Sequence, residues 1–456
     1  MTTQNDAVPI AFPDFPEDVQ LTILSFLNQS EISTFSCTSK RFYSLCNNDS
    51  KLWFSLCDRK FGSKTRIKKW VTGQITYKRL YKTLCELEGL IGFWRRSGQS
   101  KNCGSPGNVG DQTPALVYFQ WGDCFISGCR VSGSREGGYD VVKRPCFWIC
   151  LNSEGECVSF LDPNCRVEGF DELVAKCDDL GFVENELIPV NVNFMGSGHV
   201  VVEENVNYMS SSGSGEIRKS GVVKVGNLGS PRGEESDEGM DNVVGSPVMS
   251  DMYQYFANRT SPGAGGERWS RRQRRREKVK KCWKKWEPEH YVKIVNCSPT
   301  PARPLQGLWK GICDDMKLDF YLVAYDDIGG IACRRVEDSS KPFSGYAPVF
   351  WTSNTTFIES PFSPEENYIY DSRTHLRPPD ASDCIHGDEA VARILYINSS
   401  YDLVIPDLAE TSVNPRQVEG RIWQYGNGTF GFGFLRDNHI VDLKLITRND
   451  HLLDTS

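Results

Sequence analysis

Cysteine is the residue type in this sequence best suited to chemistry, with 17 of them spread along 456 residues. A nucleophilic thiol needs a base beside it, and a zinc centre needs two ligand pairs at a short, regular gap. Cys124/Cys129 and Cys146/Cys150 miss zinc-finger spacing, and Cys384/His386 has no second half. The six histidines are scattered. Neither a Walker-type phosphate loop nor a Rossmann fingerprint is present. No catalytic residue, no metal and no cofactor are therefore expected. The odd cysteine count argues against a disulfide scaffold, as does a start, Met1–Ala11, with neither a basic end nor an apolar core. The thiols are read as free and reduced, in a protein of the nucleus, the cytoplasm or both. Several Asn-x-Ser/Thr triplets, at Asn28, Asn354 and Asn398, are then chance matches.

Charge offers two further chemistries. Arg95, Arg96, Arg144 and Arg421 lie beside predicted strands and could grip an acidic peptide through bidentate hydrogen bonds, although a solvated rim position is the plainer reading of each. Trp94, Trp121, Trp148, Trp309 and Trp423 are core by default, with one or two left to line a peptide-binding mouth. Eleven lysines and arginines crowd between Arg268 and Lys285, beside Trp269, Trp283 and Trp286. Their densest part, Arg271, Arg272, Arg274, Arg275, Arg276, Lys278, Lys280 and Lys281, suits a nuclear import receptor. Phosphate binding with stacked tryptophans and a simple solvated charge run are the alternatives. The net charge of -7 is mild for this length, so nucleic acid is not an expected partner of the whole chain.

The elements that must carry these groups follow from periodicity. At 39% hydrophobic and 24% charged residues, the composition is that of a soluble globular protein, too long for one core. No apolar run is long enough to span a membrane, so no membrane is expected as a partner. Pro16, Glu17 and Asp18 make a helix start, after which Val19, Ile23, Leu24 and Leu27 share a face. Ser30 can cap the next helix, and Asp49 and Ser50 offer a later cap before Leu52, Trp53 and Leu56. Tyr77, Leu80, Tyr81, Leu84 and Leu87 predict a helix within 74–90, closed by Gly89.

Beyond Gly89 the texture changes to antiparallel β. Strands are expected at 116–121, 125–131, 146–151, 157–161, 308–312, 318–324, 331–336, 392–397, 418–425 and 429–435. Between 196 and 300 the β pattern fails, and glycine, serine and glutamate dominate much of the stretch, so a disordered insert containing the basic tract 268–285 is expected. Ser230-Pro231, Ser246-Pro247 and Ser261-Pro262 are candidate proline-directed phosphorylation sites within it. Gly92-Phe93-Trp94 and Gly307-Leu308-Trp309 open the two β stretches alike. We read them as two strands entering one closed barrel at glycine corners, in preference to an internal repeat.

Phe15-Pro16-Glu17-Asp18-Val19, Ile23 to Leu27, Ile32, Phe35, Ser39 to Phe42, Leu45 and Leu52-Trp53 closely resemble the F-box in residue type and order. Phe15 replaces the usual leucine, and Phe42 stands where tryptophan is commonest. That resemblance implies a three-helix hook that binds a Skp-type adaptor, and through it a cullin and a RING subunit, in an SCF-type ubiquitin ligase. It carries adaptor contact to Phe15, Pro16, Val19, Ile23, Leu24, Leu27, Ile32 and Phe35, with Trp53 closing the unit from behind. Truncating Pro16 and Leu24 together is then expected to weaken adaptor binding by a few kcal/mol. The β region more loosely resembles F-box-only proteins with a β-barrel receptor, such as the cyclin-D-binding kind, through Gly92-Phe93-Trp94, Trp121-Gly122-Asp123, Arg144-Pro145-Cys146-Phe147, Gly307 to Gly311 and Phe430-Gly431-Phe432.

The expectation is an α+β multidomain chain. Its parts are an F-box at 12–58, a helical linker at 59–88, the first part of a β-barrel substrate receptor at 89–195, the insert at 196–300 and the rest of the barrel at 301–450. Such a chain would be a non-catalytic ligase subunit presenting an unknown protein substrate for ubiquitination and degradation. The alternative is an F-box protein with a non-degradative role, or a barrel that binds a small ligand.

Overall fold

The computed structural model describes residues 11–71, 75–97, 115–134, 138–152, 154–167, 187–205, 286–313, 316–325, 329–336, 346–377, 390–397, 419–448, 451–453 and 455. The basic tract, the three Ser-Pro pairs, Cys384, His386 and Asn398 lie outside the described residues. The chain forms two compact units. One holds the residues up to Ile91 with Phe119–Gly128 and Phe147–Leu161; the other holds Gly92–Tyr118, Cys129–Cys146 and the chain from Asp162 onward.

The first unit contains helices α1 (Glu17–Ser25), α2 (Gln29–Ser36), α3 (Lys40–Cys46), α4 (Phe54–Phe61), α5 (Ile67–Trp70) and α6 (Tyr77–Glu88), with a π-helical turn at Asp49–Trp53. α1 begins just after Pro16, its N-cap, with Glu17 and Asp18 in the first turn. The cap of α2 is Asn28 and not Ser30. Asn28 Oδ1 accepts the Glu31 N–H at 2.9 Å, and the Glu31 carboxylate accepts the Asn28 N–H at 2.8 Å. This reciprocal box satisfies two helix-end donors where Ser30, already inside the first turn, could satisfy fewer. The later turn is likewise capped by Asn48, which accepts the Lys51 N–H at 3.1 Å.

Leu21, Leu24, Ile32, Leu45, Leu52, Trp53, Leu56 and Phe61 pack in one core with Ile67, Trp70, Ile75, Leu80 and Leu84. The stretch 59–88, expected as a helical linker, packs into this core. Three short helices expose too much apolar surface to close a core, and α5 and α6 cover it. The loop Trp121-Gly122-Asp123 joins the same unit. Thr65 Oγ1 lies 2.6 Å from the Gly122 carbonyl, Lys69 Nζ is 2.6 Å from Asp123 Oδ2, and the rings of Phe61 and Trp121 are 5.6 Å apart.

Antiparallel strands follow the helices. β1 (Gly92–Ser97), β2 (Leu116–Trp121), β3 (Ile126–Gly133), β4 (Val141–Leu151), β5 (Cys157–Leu161), β6 (Ile188–Phe194), β7 (His199–Glu204) and β8 (Glu289–Lys293) close into a barrel in chain order. β7 and β8 fall inside the range 196–300 expected to lack structure. Their side chains alternate, with Val200, Val202, Glu289 and Tyr291 buried, so each of these short segments is a half-buried barrel strand embedded in a range whose overall composition lacks β character.

A second sheet is built from β9 (Gly307–Ile312), β10 (Leu318–Tyr325), β11 (Ile331–Val336), β12 (Tyr346–Thr352), β13 (Ile358–Glu359), β14 (Thr374–Leu376), β15 (Val391–Ile397), β16 (Gly420–Tyr425), β17 (Phe430–Phe434) and β18 (His439–Leu445), with α7 (Pro364–Asp371) between β13 and β14. Its order is β12-β11-β10-β9-β18-β17-β16-β15-β13, and β14 pairs with β18 in parallel. Thr352 Oγ1 on β12 donates to the Tyr396 carbonyl on β15 at 3.0 Å, joining strands far apart in that order, so the sheet curls strongly.

The single closed sheet is thus corrected to a barrel and a separate large sheet, with a small two-stranded pair, Thr447–Arg448 and His451–Leu452, after them. β8 returns to pair with β1, setting Trp94 opposite Lys293, and this leaves β9 no free edge to join. Gly92 and Gly307 each open a sheet with positive φ, 114° and 142°, and the tryptophan two residues on is fully buried in both. A Cβ on Gly307 would also meet the Cys297 carbonyl oxygen at 2.9 Å. Equivalent corners opening separate sheets favour the repeat reading over the single barrel.

Candidate functional site

α1 carries two apolar faces. Gln20, Leu21 and Leu24 point into the core, while Val19 (41% exposed), Ile23 (40%) and Phe26 (74%) lie outside it. The outer stripe recurs at i, i+4 and i+7, the spacing of one helix face. Large apolar side chains in such a row mark a surface that another molecule covers more often than an idle one. Tyr43 on α3 is also open, at 62%.

The stripe is held from behind. The buried Gln20 side-chain amide reaches the carbonyls of Phe12, Pro13 and Phe15 at 3.0, 3.2 and 2.8 Å, which fixes the chain entering α1. Phe12, Phe35 and Phe42 form an aromatic group with ring separations of 5.4, 5.7 and 4.5 Å. Trp53 Nε1 donates to the Cys46 carbonyl at 2.8 Å, and its ring meets Tyr81 edge-on. The Lys51–Asp18 pair at 2.6 Å is solvent-exposed and contributes little.

The structure divides the sequence-predicted adaptor residues. Pro16, Val19 and Ile23 are exposed, and Phe15, Leu27 and Phe35 are half-buried. Trp53 is buried in the core. Leu24 and Ile32 are 1% and 2% exposed, so both are core residues and contact by their side chains is corrected to support of the surface from beneath. Truncating Leu24 would therefore destabilise the hook itself. Phe26 and Tyr43 are exposed apolar side chains outside the expected contact set; the i, i+4, i+7 row from Val19 carries the signal for Phe26.

Burial raises the Cys46 thiol and pushes Cys57 up to about 12. Among the described residues, no three His, Cys, Asp or Glu side chains are grouped as metal ligands. No described helix is long and apolar enough to cross a membrane.

Three of the four arginines proposed for an acidic peptide are committed elsewhere. Arg95 and Arg96 are buried, and Arg96 Nη1 lies 3.9 Å from Glu289, which also accepts the Tyr291 hydroxyl at 2.6 Å. Arg421 holds Glu366 through Nε at 3.0 Å and Nη2 at 3.0 Å, with its guanidinium 3.9 Å from the Tyr396 ring centre. Glu366 stands in the first turn of α7, a helix not anticipated from sequence. Only Arg144 is exposed. Trp94, Trp148, Trp309 and Trp423 are all core, and Trp121 is half-buried.

A family model described as F-box-like matches residues 12–59, the segment that carries the exposed stripe. Over 448 residues the chain is 46% identical to the Arabidopsis thaliana protein named F-box protein At3g12350, and the alignment covers 97% of each chain.

Proposed function

Since the chain belongs to the F-box protein family, we propose that it is the substrate-recognition subunit of an SCF-type ubiquitin ligase, docking a Skp-type adaptor with Val19, Ile23 and Phe26. F-box domains as a class are adaptor-binding elements, and proteins that carry them are typically non-catalytic receptors. The observation that carries the reading is the exposed apolar row on α1 inside the matched segment. Covering what remains exposed of these side chains stabilises a complex by about 25 cal/mol for each Å² of apolar surface removed from water, before the cost of association is subtracted.

In this reading the β sheets hold a protein substrate, and the assembled ligase performs the transfer. The chain supplies position and local concentration, which alone raise the rate of a reaction between tethered partners. Adaptor, cullin and RING subunit should co-purify with the full chain. Proteins captured by a chain carrying Val19→Glu and Ile23→Lys should accumulate in cells that express it, and they should be degraded when the wild-type residues are restored. A chain that recovers no adaptor, or captured proteins whose lifetime ignores the two substitutions, would remove the ligase reading. The basic tract at 268–285 is proposed to direct nuclear import; its deletion should move the protein to the cytoplasm.

A further inference from the structure

We infer that Cys165 and Cys146 form a peroxide-sensitive dithiol that closes to a disulfide between β4 and the turn Asp162–Val167. The turn is built to hold Cys165 in place. The buried Asp162 carboxylate accepts the N–H groups of Asn164, Arg166 and Val167 at 3.0, 2.6 and 2.8 Å. The Asp162 N–H donates to the Cys146 carbonyl at 2.7 Å, so the turn is registered on the backbone of the second cysteine. Cys165 itself sits at φ 51°, a left-handed conformation that a residue with a Cβ rarely adopts without a local reason.

The side chains converge as well. The Cys146 thiol is hydrogen-bonded to Cys165. Arg130 Nη1 donates to the Pro163 carbonyl at 2.7 Å and lies 3.5 Å from Cys165 Sγ, so a fixed cation faces the sulfur. Cys146 is fully buried and Cys165 only half-buried, which gives a small oxidant access to Cys165 first. The hydrogen bond from Cys146 and the Arg130 charge hold the Cys165 thiol below its usual range against burial and Asp162, while burial raises Cys146. Thiolate character and access together select the sulfur that oxidises.

The chemistry balances with hydrogen peroxide as oxidant. The Cys165 thiolate attacks one peroxide oxygen and the O–O bond breaks. The departing hydroxide takes a proton from solvent to leave as water, and Cys165 becomes a sulfenic acid. Cys146 then attacks that sulfur, the S–O bond breaks, and the leaving hydroxide takes the Cys146 thiol proton to form a second water. Two electrons pass from the thiol pair to the peroxide, and one S–S bond results.

The test uses the full chain, purified reduced. At pH 7, iodoacetamide should label Cys165 about 10-fold faster than Cys37, an exposed cysteine without a charged neighbour in hydrogen-bonding contact. One equivalent of hydrogen peroxide should then yield the linked Cys146–Cys165 peptide on digestion. Labelling of Cys165 no faster than Cys37, or peroxide cross-links that bypass this pair, would overturn the inference. In Cys146→Ser, dimedone should trap a sulfenic acid on Cys165, and no adduct there would count against it. The wild-type measurements decide the matter even if that variant fails to fold.

Discussion

Asp49 accepts the backbone N–H of Tyr77 at 2.9 Å, so a carboxylate inside the F-box caps a helix that begins 28 residues later. Its other oxygen accepts the Lys78 N–H at 2.9 Å. The F-box and α6 therefore share a cap as well as a core. Asp49→Ala should cost about 1–2 kcal/mol, the size of a lost N-cap, and should speed amide exchange at Tyr77 and Lys78. Unchanged exchange at those amides would show that the cap contributes nothing.

Leu24 and Ile23 are neighbours in sequence but belong to opposite faces. Leu24→Ala should lower stability by about 2–5 kcal/mol, the cost of a cavity under α1. Ile23→Ala should stay within roughly 0.5 kcal/mol of wild type, as surface changes do. Urea unfolding of the two variants reads both; equal midpoints would contradict the facing assigned here.

The Arg421–Glu366 pair is nearly buried, with side-chain exposures of 13% and 10%. Arg421→Ala strands the carboxylate, with the Tyr396 hydroxyl as a remaining donor at 3.0 Å. The expected loss is about 3 kcal/mol, at the lower end for a broken buried pair. Arg421→Lys should recover little of it, because an ammonium cannot reproduce the two-pronged contact. A neutral Arg421→Ala would reopen this arginine as a peptide-binding residue.

Much of this arrangement was legible beforehand. Alternation found the strands Leu116–Trp121, Cys157–Leu161 and Ile331–Val336 at their observed ends, because turns rich in glycine and polar residues bound them sharply. The F-box was legible because proline, helix spacing and tryptophan all obey local rules. What stayed hidden depends on distant partners. Glu289–Lys293 becomes a strand because β1 and β7 flank it, and Asp49 becomes a cap because α6 begins beside it. Leu24 and Val19 look alike in a one-dimensional pattern, and only the packing of α1 on α3 and on the turn Asp49–Trp53 separates core from surface.

Asp442 provides a pH test. Burial works to raise its pKa, but His375 at 2.8 Å and Arg377 at 2.5 Å outweigh this and hold the carboxyl below its usual range. A carboxylate depressed in the folded state stabilises it above the unfolded value of about 4, and that contribution disappears as pH falls through the lower folded value. Wild-type stability should therefore fall more steeply than that of Asp442→Asn below about pH 4. Parallel acid limbs in urea titrations at successive pH values would contradict the assignment.

The central claim is that the row Val19, Ile23 and Phe26 is the adaptor surface. Val19→Glu with Ile23→Lys replaces two of the three by an i, i+4 pair that suits a helix, so α1 should remain folded. Calorimetric titration of purified Skp-type adaptor into this variant and into wild type tests the claim most directly. An intact unfolding transition is expected, with an affinity weaker by about 2–4 kcal/mol, roughly 30- to 1000-fold in Kd. A folded variant that binds adaptor with the wild-type Kd would contradict it.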